Sequence, residues 1–226
     1  MISLGGKKRL GPKIVRDIYD NVDGLPCDYV WWEPFVGGGN VIENVTGYAV
    51  CSDANPDIIK ALIAIRDKPH LLPKNNKEYT EEDYRNRKPS PLAPFAYSVG
   101  GKMWGGWRRG DSRDYVAEAY RSAQKQSEKL RYKQFYDCAY HELDLGSCEM
   151  IIYCDPPYEG TTKYKFSIDR EHFWNWCREK SSEGHEVFVS EYKAPDDFKL
   201  ISEYAHNTTF SKQGKKNTVE RLFKAP

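Results

Sequence analysis

The chain has 226 residues, of which 39% are apolar, enough for one substantial domain or one domain with an insertion and too many for wholesale disorder. Lys and Arg number 34 against 33 Asp and Glu, so the whole is near neutral. The longest apolar run of note, residues 61–65, is far short of the roughly 20 residues that cross a bilayer, and the three cations near the N-terminus lack an apolar stretch, so neither a membrane span nor a secretory signal is expected and a cytoplasmic location is.

Residues 12–22 place Ile14, Val15, Ile18, Tyr19 and Val22 at helical spacing. Residues 28–32 read as a strand, with Tyr29, Val30, Trp31 and Trp32 in a row. A continuous apolar run marks a strand buried on both faces, as in a parallel sheet. The strand ends in the turn Gly37-Gly38-Gly39, after which residues 40–45 resume helical spacing. Residues 48–52 read as a second strand, ending at Asp53. Asn55-Pro56 joins an N-cap to a proline at the first helical position, and Ile58, Ile59, Leu62 and Ile63 give the next helix its apolar face. Helix, strand, helix, strand, helix predicts a doubly wound α/β fold.

The pattern breaks over residues 67–133, which are polar and carry Pro69, Pro73, Pro89, Pro91 and Pro94, a Gly/Trp/Arg stretch at 100–110, and a predicted helix over 114–130. This reads as an insertion into a core unit made of residues 1–66 and 134–226. The α/β pattern returns with strands over 135–140, 150–154 and 186–190 and a helix over 171–180; residues 200–204 and 218–223 predict an antiparallel hairpin at the sheet edge.

Charge is uneven: residues 99–133 hold nine cations against four anions, and further basic clusters lie at Lys7-Lys8-Arg9 and at Lys212, Lys215 and Lys216. Local positive stripes on a neutral chain suit a polyanion better than a membrane. The six cysteines include no C-x-x-C pair, and the five histidines share no metal spacing, so neither a disulfide framework nor a metal site is expected.

The strongest local signal is Asp155-Pro156-Pro157-Tyr158, directly after the apolar run of residues 150–154. Ligands of open α/β sheets bind beyond the carboxyl ends of strands. Here a carboxylate is followed by two residues without a backbone N–H, which hold a carbonyl on a stiff frame, and then by an aromatic plane. That set suits a flat heterocycle with an exocyclic amino group: Asp155 and the Pro156 carbonyl accept its two N–H bonds and Tyr158 stacks on the ring. The second signal is Glu33-Pro34-Phe35-Val36-Gly37-Gly38-Gly39 after the first strand. Glycines allow close backbone approach, and a following helix N-terminus favours an anionic group. Ile42 stands where a dinucleotide fingerprint needs its third glycine, which weakens that reading. Asp53, at the end of the next strand, can hold two ribose hydroxyls.

Together these motifs resemble those of adenine-specific DNA methyltransferases of the alpha group, which includes bacterial and phage Dam-type enzymes. The likeness runs through Leu4-Gly5-Gly6-Lys7, the segment from Glu33 to Val41, Ser52-Asp53-Ala54-Asn55-Pro56, Tyr153 to Tyr158, Val189-Ser190 and Val219 to Phe223. Ser3 and Ala139 depart from the common pattern. The resemblance implies a Rossmann-like class I methyltransferase sheet, mostly parallel with an antiparallel edge hairpin, and an inserted target-recognition region at 67–133. It implies S-adenosylmethionine as cofactor, with Phe35, Gly37 and Gly39 lining its pocket, Asp53 on its ribose, Tyr140 near its adenine, and Lys7 and Asp155 at the rim. It implies catalysis at Asp155, Pro156, Pro157 and Tyr158 on the 6-amino group of an adenine extruded from double-stranded DNA, inside a bacterial host or a phage-infected cell, and is compatible with a cognate restriction endonuclease as partner.

In the insertion, Trp104, Trp107, Arg108 and Arg109 are candidates to wedge into or read DNA, with Lys125 and Lys129 and, from the N-terminal cluster, Lys8 on phosphates. The alternative for this stretch is a small aromatic subcore with a solvated basic helix. Three other functions stay open: an exocyclic cytosine methylase, against which the resemblance sets Asp155 in place of a serine; an RNA or protein-amide methylase; and a non-catalytic DNA-binding relative.

Overall fold

The computed structural model describes residues 7–22, 29–146, 148–158, 168–208 and 216–226, the side chains of 206–208 and 216–218 excepted. The Leu4-Gly5-Gly6 part of the first motif, the predicted strand start at Asp28 and the cluster at Lys212 and Lys215 lie outside the described residues. The elements in chain order are α1 (Gly11–Tyr19), β1 (Val30–Glu33), β2 (Ala49–Ser52), α2 (Pro56–Asp67), α3 (Glu81–Arg85), α4 (Tyr115–Leu130), β3 (Lys133–Tyr136), β4 (Met150–Cys154), α5 (Arg170–Ser182), β5 (Glu186–Glu191), β6 (Lys199–Thr208) and β7 (Lys216–Lys224).

One seven-stranded sheet has the order β3-β2-β1-β4-β5-β7-β6. Strands β1 to β5 are parallel; β7 joins β5 antiparallel and pairs with β6, which forms the edge. The sheet is the expected α/β type with an antiparallel edge hairpin. Alternation along each strand sorts its side chains into two cores. Trp31, Cys51, Ile151 and Tyr153 face the layer of α1, α2 and α4. Trp32, Val50, Ile152 and Cys154 face the layer that includes Phe173, Trp176 and Cys177 of α5. Burial on both faces explains why β1 and β4 read as unbroken apolar runs.

Helix boundaries follow their caps. Asn55 accepts from the Asp57 amide with Pro56 at the first position of α2, Asp114 caps α4 through the Ala117 amide, and Asp169 caps α5 through the His172 amide.

Two predicted elements are corrected. Residues 40–45 form only a three-residue 3-10 turn, Ile42–Asn44. The buried Lys133 ammonium takes the carbonyls of Val45 at 2.8 Å and Gly47 at 2.6 Å, which draws the chain out of helix and into β2. The strand predicted over 135–140 is β3, and it ends at Tyr136 because its partner β2 ends at Ser52, the last paired position. Tyr140 therefore lies beyond the strand, in a turn.

Residues 67–133 share the main core. Leu72, Tyr79, Tyr84, Phe95 and Tyr97 are buried in the same cluster as α1 and α2, together with Val116 and Ala123 of α4. Gln126 of α4, itself buried, donates to the Gly38 carbonyl at 3.0 Å.

Candidate active site

The strand order reverses between β1 and β4, and the crevice beyond their carboxyl ends is where such sheets take ligands. β1 delivers Glu33 and the glycine turn there, β2 delivers Asp53, and β4 delivers Asp155. β7 contributes as well: running antiparallel to β5, its early residues lie at the same edge of the sheet.

At the end of β4, Lys7 Nζ donates to Asp155 Oδ1 at 2.8 Å and lies 3.0 Å from Glu220 Oε1. Tyr158 Oη donates to the same Glu220 oxygen at 2.7 Å. The Lys7 ammonium also sits 4.6 Å from the Tyr158 ring centre. The lysine and the β7 glutamate are both buried. Burial works to discharge Lys7, but its two carboxylate partners outweigh that and raise its pKa. Burial raises Asp155 to about 6 although Lys7 pulls it down; Glu220 adds to the rise. Glu33 is pushed well up by burial and then by the Asp155 charge, and its Oε2 finds no hydrogen-bond partner among the described residues. Arg170, the first residue of α5, braces the motif from behind. It donates to the Pro157 carbonyl and, at 2.9 Å, to Glu191 Oε1.

The glycine turn and Asp53 form a second unit. Asp53 Oδ2 accepts from the Gly37 amide at 3.0 Å and Oδ1 from the Asn55 amide at 2.9 Å. Gly37 and Gly39 both have left-handed backbones, at φ of 49° and 68°, where side chains other than glycine are strained. A Cβ on Gly37 would meet only the Phe35 carbonyl, at 4.0 Å, so the space beside this turn is open. Burial raises Asp53 to about 6 against the pull of the two amides.

Phe35 leaves the turn to stack on Tyr140, with ring centres 5.3 Å apart and planes at 30°. Phe173 of α5 meets both edge-on. Tyr140 Oη is 2.6 Å from His172 Nδ1. Phe35, Gly37, Gly39, Asp53 and Tyr140 thus gather around the ends of β1 and β2, while Lys7, Asp155 and Tyr158 gather at β4.

The expected DNA contacts divide. Lys8, Lys125 and Lys129 come together with Arg121 and Glu43 around a cleft of about 320 Å³ between α4 and the segment before α1. Trp104 and Trp107 do not stand out as wedges: they pack on Tyr84 at 5.0 and 5.5 Å, and Trp107 also meets Tyr97. Arg108 lies 4.0 Å over the Tyr115 ring, and the exposed Arg109 forks onto Glu81. Of the nine cations counted at 99–133, Lys133 is buried and turned to backbone carbonyls.

Sequence reading did not assign Glu220, Arg170, Glu191, His172 or Gln126 to the site. Glu220 was the most detectable: an acid inside an apolar strand stretch, Val219 to Phe223, signals a buried charge that needs a partner.

Among the described residues no helix is long and apolar enough to cross a membrane, and no cluster of metal-ligating side chains occurs. The family model "D12 class N6 adenine-specific DNA methyltransferase" matches residues 3–90. Among curated proteins no relative matches. Among solved structures, the chain is similar to SMU.472, assigned as a methyltransferase and crystallised with SAH, at 10% identity and a TM-score of 0.40. The alignment covers 97% of this chain and 52% of that one, so the chain spans about half its length.

Proposed function

We propose that the chain is a D12 class N6 adenine-specific DNA methyltransferase, the family whose model matches residues 3–90, and that it methylates the 6-amino group of adenine in double-stranded DNA, with the target base extruded from the duplex. The observation that carries this reading is the half-buried Asp155 at the sheet's switch point, held by Lys7 and followed by a proline frame and the Tyr158 ring.

The cofactor this implies is S-adenosylmethionine, which supplies an electrophilic methyl group on a sulfonium. The residues at the β1 and β2 ends fit it. Open space beside Gly37 suits close backbone approach. Each Asp53 oxygen holds one amide and keeps a second lone pair for a ribose hydroxyl. The Phe35–Tyr140 pair presents a flat apolar wall for an adenine ring.

The chain's own work is on the nucleophile. The adenine amino lone pair is delocalised into its ring. Asp155 and the Pro156 carbonyl, accepting the two N–H bonds, draw that nitrogen toward a tetrahedral shape and aim its lone pair. As the new N–C bond forms and the methyl–sulfur bond breaks, with its electron pair staying on sulfur as a thioether, the nitrogen becomes cationic and must lose a proton, and Asp155 is the acceptor already on it. Most of the rate gain comes from positioning and charge placement, with no covalent intermediate. Tyr158 stacks on the base. Residues 67–133 serve target recognition, and Lys8, Lys125 and Lys129 in their cleft sit on phosphates.

The test is to incubate the purified chain with duplex DNA and methyl-labelled cofactor, then analyse the nucleosides by mass spectrometry. N6-methyladenine is expected. Methylcytosine instead, label only in RNA or protein, or no transfer with bound cofactor would each overturn the reading.

A further inference from the structure

Glu220 has no part in the chemistry above, yet it is buried and makes both of its described polar contacts inside the site. Its Oε1 faces the Lys7 ammonium at 3.0 Å and accepts from Tyr158 Oη at 2.7 Å. Placing a carboxylate in this crevice, beside Asp155, is costly unless it is paired. A lysine facing a single acid would settle that need with one ion pair. Here one lysine is shared by two acids, one on β4's loop and one on β7.

The arrangement has a consequence for Asp155. Its oxygens must accept from the incoming amino group. Lys7 donates to it at 2.8 Å, and the Tyr158 hydroxyl, which donates to Glu220, lies close enough to favour its ionised form. Lys7 keeps its bond to Asp155 while also facing Glu220, and the Tyr158 hydroxyl donates to the second acid on β7.

We infer that Glu220 is a positioning residue, which anchors Lys7 and Tyr158 on β7 so that Asp155 keeps acceptor capacity for the target amino group. This rests on the methyl-transfer reading above. Glu220 acts through these two side chains, the ones its carboxylate holds. Among the described residues, the ionisable groups whose charges act on Asp155 or feel it include Lys7 from the N-terminal segment, Glu220 from β7, Tyr158 from its own loop, Glu33 from β1, Tyr153 and Cys154 from β4, and Tyr192 after β5. Among them Glu220 is a negative charge that favours the protonated form of Asp155.

The experiment compares wild type with Glu220→Gln and Glu220→Asp in single-turnover methylation of duplex DNA across pH, alongside cofactor and DNA titrations. Glu220→Gln is expected to slow the transfer step on the order of 10²-fold, the cost of a misplaced reacting group, with both affinities nearly unchanged. Its acid limb should move to lower pH, because a negative charge beside Asp155 is gone. Glu220→Asp should restore the limb and much of the rate. A Glu220→Gln rate equal to wild type with an unmoved limb overturns the inference.

Should Glu220→Gln fail to fold, the neutral pair Lys7→Gln/Glu220→Gln is compared with Lys7→Gln alone. If Glu220 acts through Lys7, the double variant is no slower than the single one; losses that multiply overturn the inference. Absence of methylation by wild type in the same assay would instead remove the underlying activity, so the two failures are distinguishable.

Discussion

Asp53 at the end of β2 holds the backbone amide of Gly37, 3.0 Å away, so one carboxylate fixes the glycine turn that follows β1. The residue expected to meet a ribose is thus also the brace of the loop beside it. Its second amide bond, from Asn55, ties it to the start of α2.

Asp53→Ala should therefore act twice. Cofactor affinity should fall, since hydrogen bonds to a charged group contribute about 1.5–3 kcal/mol each. The melting temperature should also drop, because two amides lose their acceptor. Titration calorimetry and a thermal melt read the two effects separately. Unchanged cofactor affinity would place the ribose elsewhere.

Tyr140→Phe should leave cofactor affinity close to wild type, since the stack on Phe35 survives and only the bond to His172 is lost. Tyr140→Leu should weaken it, by about 0.5–1.5 kcal/mol for the lost ring pair. Equal affinity in both variants would remove the ring pair from the cofactor wall.

Turnover should fall as pH drops through about 6, the value to which burial raises Asp155. The sign follows from its role: the ionised form accepts from the amino group, so protonation removes activity. A profile flat to well below pH 6 would mean that Asp155 is not the acceptor.

DNA binding should weaken with salt, with a slope of about −0.9 for each phosphate neutralised. Lys125→Ala and Lys129→Ala, both on the α4 cleft, should lower affinity for all sequences and flatten that slope. Arg109→Ala first breaks the fork onto Glu81. If it and Arg108→Ala change neither affinity nor discrimination between sequences, bases are read by other residues.

The centre of the sheet was legible because β1, β2, β4 and β5 are buried on both faces. Residues 150–154 read as a strand with the observed bounds, and Asn55-Pro56 marked the start of α2. Motif residues were legible for the same reason: Asp53 and Asp155 follow directly on the strands β2 and β4. What escaped depends on contacts between distant segments. The turn at 42–44 is set by Lys133, some ninety positions away in the chain, and the end of β3 by the length of β2. Trp104, Trp107 and Arg108 have the composition of a DNA-reading loop, yet Tyr84, Tyr97 and Tyr115 offer them ring partners within the chain. Glu220 sits in the segment Val219 to Phe223, but only the fold brings β7 beside β4's loop.

The central claim is that Asp155 accepts from the reacting amino group. The most direct measurement is the single-turnover rate of methyl transfer to duplex DNA by Asp155→Asn, with cofactor and DNA binding measured on the same preparation. The account predicts that both binding steps persist while the transfer rate falls by about 10²–10⁴-fold, the range for loss of a positioned proton acceptor. A variant that binds both and transfers the methyl group at the wild-type rate would contradict it.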